Sequence, residues 1–287
     1  MKNALLLSSV LSLATLAPDV AHAQYHDEES SWRSRMTQEG MAADAGHIPQ
    51  APQSSDAPPD NGGLHLKRTL HYTPPSGADI LGIKLGTPAV EAVRIMRDYC
   101  QVEPTIQYSS LRTGYKGVNI YTQDYASGAS CFKIGGHISV TFAADVSDPV
   151  VIKIVRNASF PSDNSPMYDS LRTDLLNKYG FKHLFRRPYS TDEEGVIFVM
   201  QDGTTRESDG REIGVGLPQD FQLIARGVRE YLTAVATRNS DNPDRVSALA
   251  ITLSDIGAEQ QIQAEVIKQM QAHEDERLAA TNPKTEL

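Results

Sequence analysis

Cysteine and tryptophan are scarce in this 287-residue chain, which carries only Cys100, Cys131 and Trp32. Two cysteines without clustered histidines cannot build a structural zinc site, which needs four ligands. The sequence holds no Gly-x-Ser-x-Gly elbow, no His-Glu-x-x-His, no phosphate loop and no Cys-x-x-Cys. The commonest signatures of hydrolases, zinc proteases, nucleotide enzymes and thiol redox proteins are therefore missing. Positive charge is also short, with 27 Lys and Arg against 36 Asp and Glu and a net charge of −9. Nucleic acid is not an expected partner, because its binding rests on a basic surface that releases counterions. After Ala23 no apolar run approaches 18 residues, so no helix is expected to cross a membrane. With 40% apolar and 22% charged residues, the composition is that of a globular protein, not of collagen or bulk disorder.

What is present begins with the first 23 residues. Lys2 supplies a positive start, Ala4 to Ala17 is an apolar stretch of 14 residues, and Ala21-His22-Ala23 offers small residues for cleavage. That stretch is too short to span about 30 Å of hydrocarbon, so 1–23 reads as a removable signal peptide. The expected product is periplasmic or secreted, soluble, and without stable membrane insertion. In an oxidising compartment an even pair of cysteines is expected to join. Closing the loop between Cys100 and Cys131 would remove about 3–4 kcal/mol of unfolded-state entropy. A Cys131 nucleophile served by His137 is the catalytic alternative, and it needs an electropositive niche that spacing does not show.

Residues 24–63 are rich in Ala, Pro, Gln, Ser, Asp and Gly and read as a disordered tether. Trp32 falls in this segment, either as an incidental ring or as a docking element for a partner. The folded part is expected to be 64–287. Alternation from Leu64 to Tyr72 predicts a half-buried strand, with His65 and His71 on its polar face. Ile80 to Gly86 predicts a short strand, followed by Thr87 as cap, Pro88 in a first turn, and a helical stripe of Ala89, Val93 and Met96. Gly117–Tyr121, Cys131–Ile134 and His137–Phe142 read as hairpin strands. The phrase then recurs: strand Val151–Val155, cap Ser165-Pro166, a stripe of Met167, Leu171, Leu175 and Tyr179, and a stop at Gly180. Gly195–Gln201 and Val246–Leu253 read as strands. Phe221, Ile224, Val228, Tyr231 and Val235 step by 3 and 4 and predict a helix. A closing helix runs from Ile256 to Leu278, with Ile262, Val266 and Met270 inward. The expected class is α+β, a mostly antiparallel sheet packed against helices, with two related strand–helix units over 64–145 and 146–287.

At Gly82-Ile83-Lys84-Leu85-Gly86-Thr87-Pro88, followed by Glu91, about 15 residues resemble the strand–turn–helix opening of small exported bacterial modules. These are the β-lactamase-inhibitor-protein-like group, which includes small outer-membrane assembly lipoproteins. The resemblance implies α+β units that bind other proteins without catalysis. The chain differs from that group in lacking a lipidated cysteine and in carrying a long tether, extra strands and a closing helix.

The remaining site candidates are few. Lys182-His183-Leu184-Phe185-Arg186-Arg187 is a local basic patch on an acidic chain, so His183, Arg186 and Arg187 could receive an anionic group. Asp202 to Gly210 only superficially matches a calcium loop, because Thr204 and Arg206 occupy its second and third ligand positions and an arginine there repels the ion. The reading that emerges is an exported, non-catalytic binding or assembly protein of the bacterial cell envelope, with an envelope protein as partner and neither cofactor nor metal. The alternative is an envelope hydrolase with His183 or His137 as general base.

Overall fold

The computed structural model describes residues 63–66, 69–145, 148–187, 190–208 and 220–281, all within the unit Ser55–Leu287. Trp32, the leader and almost all of the tether lie outside the described residues. In chain order the elements are β1 Asp79–Ile80, β2 Ile83–Lys84, α1 Ala89–Cys100, β3 Thr105–Ser109, β4 Arg112–Tyr115, β5 Val118–Tyr121, β6 Tyr125–Lys133, β7 Gly136–Phe142 and β8 Val151–Ser159. Then come α2 Tyr168–Tyr179, β9 Phe185–Arg186, β10 Asp192–Met200, β11 Thr205–Glu207, α3 Asp220–Ala225, β12 Val228–Arg238, β13 Val246–Asp255 and α4 Ile256–Thr281.

One antiparallel sheet dominates, in the order β11-β10-β12-β13-β8-β7-β6-β3, with β9 paired to β10. The chain is α+β, as its patterning predicts. In β7 and β13 buried residues alternate with half-buried ones, the mark of a sheet covered on one face only. Helices α1 and α2 cover the apolar face. Their inward residues, Ala92, Met96, Cys100, Tyr168 and Leu175, join Ile138, Val140, Ile154, Ile251 and Leu253 in the main core. Helix α4 crosses part of the second face. Ile256 packs with Val196, Phe198 and Tyr231, Ala258 and Ile262 with Ala143 and Ile152, and Val266 and Met270 with Ile120 of the β4–β5 hairpin.

The echo between the two helix openings extends to their hydrogen bonds. Ala89 N–H donates to Pro149 O at 2.9 Å and Tyr168 N–H to Asp244 O at 2.7 Å. In return Val151 N–H donates to Thr87 O at 2.9 Å and Val246 N–H to Pro166 O at 3.0 Å. Each helix opening is thus pinned to the start of a strand, β8 or β13, and those two strands pair within the sheet. Both β8 and β13, each bonded to the opening of one helix, belong to the same sheet.

Three expectations need correction. Among the described residues of the predicted Leu64–Tyr72 strand, only Leu64 joins a ladder, by a single parallel bridge to Thr122. Beyond it, the N–H groups of Thr69 and Leu70 bond the Glu265 carboxylate instead of a ladder, and Leu70 is exposed. Neither helix uses its Thr or Ser cap. Pro88 and Met167 hold the cap positions in extended conformation without side-chain cap bonds, because the sheet already satisfies the local backbone. The third miss is the largest. The helix foreseen from Phe221 to Val235 stops at Ala225, Gly227 turns the chain at φ +78°, and Val228–Arg238 becomes the long strand β12. A strand buried on both faces loses its period of two, so chance spacing of 3 and 4 passed for a helix.

Candidate functional site

Side chains that share a row across the sheet identify the part of the second face that no described helix covers. One row runs Glu194, Val235, Ala250, Asn157, His137, Phe132 across β10, β12, β13, β8, β7 and β6. The next runs Thr233, Thr252, Val155, Ser139, Ser130 and Thr105, and a third Asp192, Thr237, Ala248 and Ser159. Five strand spacings make this face about 24 Å wide. Small and hydroxyl-bearing residues dominate it, so its backbone relief is low and a partner surface can approach closely.

Each end of the first row carries chemistry. At one end Phe132 stacks on His137, with ring centroids 4.2 Å apart and planes 21° from parallel, and Phe132 is 55% exposed. Burial lowers the pKa of His137, which keeps its imidazole neutral at pH 7. Its cross-strand neighbours are Phe132 and Asn157, neither of them a carboxylate. At the other end Arg187 donates from Nε to Glu194 Oε2 at 2.6 Å and lies 3.9 Å from Asp192.

The basic patch separates into unlike parts. Glu194 is 1% exposed, so Arg187 neutralises a buried carboxylate and its pKa is raised chiefly by that hydrogen bond. Arg186 is exposed on β9, with Nε donating to Ser190 O. His183 is exposed; its backbone N–H and that of Lys182 both donate to Glu207 Oε1, and its ring meets Phe185 edge-on. Removing one member of a buried pair strands the other charge. Because Arg187 is itself about one-third exposed, Arg187→Ala should cost about 2 kcal/mol, whereas Arg186→Ala should stay within about 0.5 kcal/mol of the parent. Urea unfolding of the two variants compares them directly, and equal midpoints would remove the structural role assigned to Arg187.

A second polar group, missed from the sequence, lies on the helix-covered side where β12 and β13 end. Glu230 and Asp255 face each other across these strands, and each is 1% exposed. Asp255 caps α4 by accepting from Ala258 N–H at 2.8 Å. It also accepts from the Tyr72 hydroxyl at 3.1 Å and Arg229 Nη2 at 3.5 Å. Burial pushes the Glu230 carboxyl up to about 7, helped by Asp255 and opposed by hydrogen bonds from Ser76. Burial likewise raises Tyr72, with Asp255 adding to the shift. The only sequence signal was two acids inside β-branched runs, which reads equally well as strand ends. The described residues hold no group of three or more His, Cys, Asp or Glu suited to a metal ion, and no described helix is long and apolar enough to cross a membrane.

The Cys100–Cys131 pair is bonded, with Cα atoms 6.3 Å apart. It ties the end of α1 to β6, and no free cysteine remains. Compared with known proteins, the chain matches no family model, no curated protein and no solved structure.

Proposed function

We propose that this chain is an exported, non-catalytic binding or assembly protein of the bacterial cell envelope, and that it engages a protein partner through the helix-free face of its sheet. The observation that carries the reading is the uncovered arc from Phe132–His137 to Asn157, Ala250 and Val235. Helices bury the opposite side of the same strands, while this side keeps small residues and one large exposed aromatic. Such a ring beside low-relief surface is the composition of an interface anchor. The leader, the disulfide and the short resemblance to exported binding modules point the same way, since disulfides persist in oxidising compartments. A hydrolase reading has less support, because among the described residues neither the His183 nor the His137 imidazole is hydrogen-bonded to a carboxylate, and Glu207 is engaged by the backbone of Lys182 and His183.

The experiment is site-specific photocrosslinking from position 157 in envelope extracts, repeated with Val155→Arg and Ala250→Arg. These half-buried, outward positions accept long side chains without touching the core. One protein should be captured by the parent and reduced at least about tenfold by both variants, the loss expected when an interface centre is blocked. Capture that persists unchanged with both arginines in place refutes the sheet face as the binding surface. The double reversal Arg186→Glu with Arg187→Glu is a poor substitute, because it also breaks the Glu194 pair.

A further inference from the structure

Arg156 stands where a charged residue is not expected. On the helix-covered face its row reads Cys131, Ile138, Arg156, Ile251, Ala234 and Gly195, so one guanidinium sits among apolar and small neighbours. Its Nε is buried and has no hydrogen-bond partner, and among the described residues no carboxylate forms an ion pair with it. The Tyr99 ring centroid lies 5.8 Å from the Arg156 Cζ and 3.5 Å from Lys133 Nζ. Arg156 also acts electrostatically on the Tyr179 hydroxyl. Tyr99 and Tyr179 close α1 and α2, and the negative ends of those helices make a cation tolerable there. They leave the Nε donor unsatisfied all the same, and a buried orphan donor is costly.

The disulfide assembles this corner. Cys100 follows Tyr99 directly, and Cys131 precedes Lys133 by two residues, so the bond holds ring and ammonium together. Beside it Ile134 of the β6–β7 turn is completely exposed, and Val102, just past α1, is half exposed. We infer that Arg156, Lys133 and Tyr99 form a binding site for a carboxylate carried by a peptide, with the exposed side chains of Ile134 and Val102 nearby. A guanidinium whose Nε–H has no partner can take a planar carboxylate in two parallel hydrogen bonds. A second cation on the same ring adds attraction without competing for that geometry. The site lies on the face opposite the proposed docking surface and stands or falls independently of it.

The test follows the Arg156 Nε–H signal by NMR while the full chain is titrated with three probes. These are acetate, N-acetyl-leucine with a free carboxylate, and N-acetyl-leucinamide without one. Saturable shifts are expected with the two carboxylates at millimolar dissociation constants and none with the amide. Tighter binding of N-acetyl-leucine than of acetate would place the carboxylate on a peptide, and equal binding would overturn the peptide assignment. Arg156→Gln should abolish the response in the neighbouring amides. The exposed Lys133→Gln should weaken it about three- to tenfold without risk to folding. Absence of saturation up to about 100 mM probe, or a response that survives Arg156→Gln, overturns the site.

Discussion

Replacing Cys100 and Cys131 together by alanine should destabilise the folded chain by about 3–4 kcal/mol. The bond closes a loop with a sequence separation of 31, and in the chain-entropy account its loss returns that loop's freedom to the unfolded ensemble. Both sulfurs are buried, Cys100 at 4% and Cys131 at 3% exposure, so the variant also loses packing under α1. The measurement is urea unfolding of parent, reduced parent and variant. Reduced parent and variant should share a lower midpoint, and an unchanged midpoint in both would show that α1 is held by its apolar stripe alone. The peptide-carboxylate response at Arg156 should fall in the reduced protein, because Tyr99 and Lys133 would no longer be held together.

Glu230→Gln should stabilise the protein at pH 8 by about 2–3 kcal/mol and flatten its stability profile between about pH 5 and 8. The Glu230 carboxyl is shifted from 4.5 to about 7 in the folded chain, principally by burial. A raised folded-state value means that the native state holds the proton more tightly than the unfolded chain. The stabilisation is therefore complete below about 4.5 and is lost as the pH rises through about 7. Above that, folding must keep an ionised carboxylate buried with Oε2 lacking any partner. Glutamine removes the titration while retaining an oxygen for Ser76. Asp255, Asp220 and Glu259 are also raised by burial and tilt the profile in the same sense, so the variant reduces the slope without erasing it. Thermal unfolding from pH 5 to 8 measures this, and parallel profiles for parent and variant would contradict it.

Much of the architecture was legible where periodicity and punctuation agreed. Ala89 and Met96 on α1, Leu175 on α2, and Ile262, Val266 and Met270 on α4 point inward as their spacing predicts, and α2 stops at Gly180. The strands near 195–201 and 246–253 were recognisable from β-branched content. Failure came where tertiary context overrides local pattern. Val228–Arg238 lost its strand period by being buried on both sides, and Leu64–Tyr72 shows alternation but found no ladder to join.

The candidate surfaces were harder to read than the fold. His137 was visible as a candidate base, but only the register of β6 and β7 shows that it stacks on Phe132. Arg187 was visible as a cation, and only the packing of β9 on β10 reveals the buried Glu194 beneath it. Arg156, Glu230 and Asp255 carried no local mark at all.

Composition and order along the chain determined the α+β class, the shortage of catalytic signatures, the readiness of two cysteines to join and the placement of most helices. Those properties follow from local propensity and from counting, which need no knowledge of neighbours in space. Tertiary structure alone decided which sheet face stays open, which cation lacks a counter-charge and which acids lose their water. Each of these depends on strand order and register, and pairing between segments a hundred residues apart is set by burial over the whole sheet rather than by any one stretch of sequence.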